Sequence, residues 1–169
     1  MAPEADSPHD TVRSAEALAA RLAQILAPSS VIVCVGSGLC GDDGAGPAVA
    51  RALGDTLPWH VLDAGNAPEN FLGRIIALEP ESVLLVDALH LDAEPGTVAL
   101  LDAARIAGLG PSTHGPAPVT FLDALDRMHP CRRFVLGVQP EQTEVGSPLS
   151  PAVKRAVSLI ADAFRIVPA

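Results

Sequence analysis

Acidic and imidazole side chains recur in this chain where an apolar run gives way to a turn. Asp42 and Asp43 sit between Gly41 and Gly44, Asp87 ends the run Ser82-Val83-Leu84-Leu85-Val86, and His114 lies in the Pro- and Gly-rich stretch 110–118. Asp63 closes a shorter run at 59–62, and Gln139 follows the apolar stretch 134–138. An Asp, Asp and His set offers two hard oxygens and one borderline nitrogen. Such a set suits Ni, Zn, Mn or Fe, with positions left open for a substrate ligand. A carboxylate there can also act as a general base.

Each residue has a plainer reading. Asp is a favoured helix cap, so Asp42 or Asp43 can simply cap a helix that begins near Pro47. Two adjacent carboxylates hemmed in by glycines exceed what a cap requires; one can cap while the other faces a cleft. Asp87 can accept a hydrogen bond from a neighbouring loop, although a bare carboxylate on a buried strand end costs several kcal/mol. His114 gains weight only from the two carboxylates. His90, three residues past Asp87, is the rival nitrogen ligand and is expected at the surface, with His9, His60 and His129.

Other chemistries fit less well. Gly36, Gly38 and Gly41 satisfy Gly-x-Gly-x-x-Gly, yet Asp42 and Asp43 would repel a pyrophosphate at the helix entrance. No Gly-Lys-Ser/Thr, Gly-x-Ser-x-Gly or His-Glu-x-x-His occurs, so P-loop, serine-elbow and zinc-peptidase designs are not readable. Cys34 reads as apolar packing, while Cys40 beside the Asp pair is a possible thiolate without an evident base.

The elements that must position these residues follow from hydrophobic period. A helix is expected from an Asp10 cap to about residue 26, with Leu18, Leu22, Ile25 and Leu26 inward. The run 31–35 reads as a buried parallel strand feeding the glycine-rich loop 36–46, and Pro47 as the first residue of the next helix. Strands at 59–62, 82–86 and 134–138 alternate with helices over about 68–78 and 120–128. Ser150 and Pro151 open a last helix that buries Val153, Val157, Ile160 and Phe164. Only a short interval separates Asp87 from a weaker strand at 97–101, so that strand is expected to be antiparallel and at the sheet edge. The fold class is α/β: three layers, with a mainly parallel sheet between helices. Ligands of such sheets bind beyond the carboxyl ends of the strands, where the polar residues above converge.

With 169 residues the chain suits one compact domain, read as residues 29–169 preceded by an N-terminal extension at 1–28 that carries a helix. A net charge of −9 and a near-absence of aromatic residues argue against nucleic acid. Three cysteines without a Cys-x-x-Cys pair suit a reducing compartment. The acidic opening does not read as a signal peptide, and the apolar runs are too short to span a bilayer. A cytoplasmic location is expected.

Taken in order, several motifs resemble the [NiFe]-hydrogenase maturation endopeptidases. They are Val33-Cys34-Val35-Gly36, Gly41-Asp42-Asp43-Gly44-Ala45-Gly46-Pro47, Asp63-Ala64-Gly65-Asn66-Ala67-Pro68-Glu69-Asn70 and Leu84-Leu85-Val86-Asp87-Ala88. Pro95-Gly96, Ser112-Thr113-His114 and Leu136-Gly137-Val138-Gln139-Pro140 continue the match, which covers about residues 31 to 165. The resemblance implies a five-stranded twisted sheet and metal contacts from Asp43, Asp87 and His114. It also implies removal of a C-terminal extension from a nickel-loaded hydrogenase large-subunit precursor. Nickel then arrives with the substrate as a recognition element, and Zn or Cd can occupy the site in isolation. Asp43 and Asp87 are the catalytic candidates. Ser37 stands where the family usually has Asn. A non-catalytic metal-sensing or chaperone module for hydrogenase maturation is the competing class, because no nucleophile is readable; a nucleotide-binding protein is a third.

Overall fold

The computed structural model describes residues 11–106 and 118–168. A two-residue strand, β1 (Thr11–Val12), leads into α1 (Ala15–Ile25) and β2 (Val31–Val35). Beyond the glycine-rich turn come α2 (Ala45–Leu53), β3 (His60–Gly65), α3 (Leu72–Ala77) and β4 (Ser82–Ala88). β5 (Val98–Asp102) runs into the short α4 (Ala103–Ile106). α5 (Pro118–Met128), β6 (Arg132–Val138) and α6 (Pro151–Ile166) follow.

The strands form one sheet in the order β1-β5-β6-β4-β2-β3. β3, β2, β4 and β6 run parallel, and β5 is antiparallel to β6, as the short 87–97 interval requires. The sheet has six described strands rather than five. The extra one is β1, which pairs antiparallel with β5 and thereby removes β5 from the edge where it was expected. The same pairing corrects the start of α1. Thr11 and Val12 are spent on the sheet, so the helix is capped by Ser14, whose side chain accepts from Ala17 N, and not by Asp10.

Apolar side chains alternate between two faces along each strand. Ile32, Cys34, Leu84, Val86, Leu136 and Val138 join one core with α1, α2 and α6. Val31, Val33, Val83, Leu85 and Val135 join the other with Ile75 of α3, Ile106 of α4 and Leu122 and Leu125 of α5. This is the three-layer arrangement anticipated from the periodicity. α1 is fully integrated into it: Leu18 and Leu22 have no exposed surface. Its end is fixed by buried hydroxyls, Ser82 Oγ donating to Ile25 O at 2.9 Å and lying 2.6 Å from Ser30 Oγ.

α6 begins as the sequence indicates, with Ser150 as cap and Pro151 in the first turn. Ser150 is buried, and its hydroxyl accepts from Val153 N at 3.3 Å. Ser150→Ala is expected to lower stability by about 1 kcal/mol, measured as a shifted urea midpoint with an unchanged slope.

Candidate active site

β2 and β4 are parallel neighbours, and both end at the same edge of the sheet. Gly36, at the end of β2, has φ +135°, and a Cβ there would collide with the Asp43 carbonyl. Only glycine allows the chain to fold back so tightly. The returning chain forms a 3-10 turn at Gly41–Gly44 and then α2. Pro47 therefore lies in the first turn of α2 rather than at its first position. At Gly46 the helix backbone lies against the strand ends: an added Cβ would run into Val35 O and come within 2.8 Å of Val86 O. This contact carries the Asp43 turn over the end of β4, where Asp87 is the next-to-last residue.

Asp43 is half-buried, and its Oδ2 accepts from Ser37 N at 2.8 Å. Ser37 also holds the turn, its hydroxyl accepting from Leu39 N at 3.3 Å and its carbonyl from Cys40 N at 3.1 Å. Ser37 thus keeps the loop hydrogen-bonded. The Asp87 carboxyl is withdrawn from water and stands within the field of Asp43. These two causes, burial first, push its pKa up to about 8 against the pull of the Ala88 N–H. At neutral pH Asp87 therefore keeps its proton. A divalent cation would remove both the repulsion and the proton, so the two oxygen ligands fit such an ion.

His114 lies outside the described residues, as does His9. Among the described residues no group of three or more His, Cys, Asp and Glu side chains is arranged to hold a metal. His90 and His60 are exposed, as expected. His129 is not: it is half-buried, with Nε2 3.0 Å from Pro80 O. Asp63 is exposed short of the end of β3, its Oδ1 accepting from Gly65 N. Gln139 is buried, accepts from Leu91 N at 2.6 Å and donates to Pro140 O, so it serves the loops. Cys34 is buried, and desolvation followed by the charge of Asp63 raises its thiol to about 12, which makes it an unreactive packing residue. Cys40 is half-buried in the turn before Asp43.

Asp42 has a role that residue type alone did not reveal. It is fully buried and caps nothing in its own helix. Its Oδ1 accepts from Ser150 N at 2.6 Å, and its Oδ2 from Glu141 N at 2.8 Å and Gln142 N at 3.1 Å. Burial alone would raise its pKa, but these N–H donors outweigh burial and hold it below the usual carboxylate range. The two adjacent aspartates thus divide the work: Asp42 clasps the loops at 141–150, and Asp43 holds Ser37 N with its charge felt at Asp87.

A family model described as hydrogenase maturation protease (HycI) matches residues 47–165. This chain belongs to that family. Hydrogenase 3 maturation protease of Escherichia coli K12 is 33% identical over 134 residues, 78% of this chain and 86% of that protein. The crystal structure of the [NiFe] hydrogenase maturation protease HycI from Thermococcus kodakarensis superposes with a TM-score of 0.70. It is 29% identical, and the match covers 80% of this chain and 92% of that one. The hydrogenase maturating endopeptidase HybD from E. coli, 23% identical with a TM-score of 0.61 over 80% and 87% of the two chains, shares the fold. As a hydrogenase maturation protease the chain is an endopeptidase, which decides against the non-catalytic module. No helix among its described residues is long and apolar enough to cross a membrane.

Proposed function

We propose that this endopeptidase removes a C-terminal extension from the nickel-loaded precursor of a [NiFe]-hydrogenase large subunit, in the cytoplasm, with a peptidase domain that takes in β1 and α1 as well as 29–169. The observation that carries the reading is the convergence of Asp43 and Asp87 at the carboxyl edge of β2 and β4, where an open α/β sheet binds its ligands. Asp43, Asp87 and His114 would complete the coordination of nickel held by the substrate; Zn or Cd would occupy the same donors in isolation. Burial, and then the charge of Asp43, keep Asp87 protonated, and a divalent cation would relieve both.

Asp43 and a deprotonated Asp87 would hold the substrate's ion, whose charge would polarise the scissile carbonyl. A water attacks the carbonyl carbon and passes a proton to a carboxylate; the carboxyl then protonates the departing nitrogen as the C–N bond breaks. The products are a free carboxylate on the large subunit and a free amine on the released peptide. Intact-mass measurement of purified precursor, nickel-loaded or nickel-free, tests the reading. Loss of a C-terminal peptide is expected only from the loaded form. Equal cutting of both forms would sink nickel gating, and cutting of neither would sink the substrate.

A further inference from the structure

Four large apolar side chains are strongly exposed among the described residues: Leu39, Met128, Val145 and Ile166. The two most exposed, Leu39 at 76% and Val145 at 84%, come from loops a hundred residues apart in sequence. Backbone hydrogen bonds hold these loops together. Gly146 N donates to Leu39 O at 2.8 Å, Gly41 N to Ser147 O at 3.1 Å and Asp42 N to Gln142 O at 2.7 Å. The buried Asp42 carboxylate clasps the same loops from beneath. The Gly146–Leu39 bond brings the two backbones together, so both exposed apolar side chains are displayed from one fixed frame. That frame is continuous with the turn that carries Asp43.

The two loop segments themselves carry only acidic charge. Neither 36–50 nor 139–153 contains Lys or Arg, while Glu141 and Glu144 are exposed beside Val145. A fitting partner segment carries an apolar side chain flanked by basic ones. We propose that Leu39 and Val145 form a docking lip that seats an apolar residue of the large-subunit precursor, with basic neighbours facing Glu141 and Glu144. This rests on the substrate reading given above.

Calorimetric binding of nickel-loaded precursor to the full chain tests it. The double variant Leu39→Ser, Val145→Ser is expected to weaken Kd at least tenfold with an unchanged melting temperature, and Leu39→Met to bind as the parent does. Glu141→Gln with Glu144→Gln should weaken binding severalfold at low salt and flatten its salt dependence. A Kd for the double serine variant within twofold of the parent overturns the lip, as does a parent chain that does not bind precursor. A parent that binds tightly through the lip without cutting would uphold the lip and refute the proteolytic reading of this substrate.

Discussion

Asp87→Asn is expected to abolish processing, by at least ~10²-fold in rate, while making the metal-free protein more stable at alkaline pH. Both effects come from one carboxyl. In the folded protein Asp87 keeps its proton up to about pH 8, because it is withdrawn from water and faces Asp43. In the unfolded chain it loses that proton near the ordinary value of ~4. Between these limits the folded state holds more protons than the unfolded one, so parent stability falls as pH rises through the window. Asparagine cannot ionise and escapes this loss. Urea unfolding at about pH 4 and about pH 9 should give matching midpoints at the lower value and a higher midpoint for the variant at the upper one. Added nickel should raise the melting temperature of the parent much more than that of the variant. A variant less stable than the parent at both pH values would show that Asp87 is a structural hydrogen-bond partner and would remove the site from β4.

The residues of this site were legible to different depths, for reasons set by range. The runs 31–35 and 82–86 read as parallel strands because both their faces are buried, which leaves continuous apolar runs in the sequence. Asp87 stood out because a carboxylate on such a run needs a reason. β1 was invisible, since two residues carry no periodicity and their pairing with β5 is decided by the sheet. The start of α1 is hidden for the same cause: Asp10 is a good cap by type, but the sheet claims the next two residues and Ser14 takes the role. The convergence of Asp43 on Asp87 was inferred from topology. What achieves it is the contact of Gly46 with the strand ends, and a glycine in sequence does not announce what it touches.

Asp42 is the clearest case of a role fixed at long range, and its removal is expected to be costly. Its donors lie 99, 100 and 108 residues away, so no local pattern points to them. Both oxygens are in use, Oδ1 toward Ser150 and Oδ2 toward Glu141 and Gln142. Asp42→Asn must therefore turn an NH2 group toward at least one N–H donor, and Asp42→Ala strands all three. A buried donor without a partner costs about 1–3 kcal/mol, so the alanine variant should lose roughly 3 kcal/mol or more and the asparagine variant roughly 2. Acid unfolding separates this from a packing defect. Because Asp42 is held below its ordinary pKa, the unfolded chain takes up its proton first as pH falls, and the parent loses stability in that acid range. Neither variant has that carboxylate, so the gap between parent and variant should narrow as pH falls below ~4. Amide exchange across 141–150 should quicken in both variants at neutral pH, since the clasp to the Asp43 turn is what closes those loops. An asparagine variant with parental stability and parental exchange would mean that the clasp is held by its backbone hydrogen bonds alone.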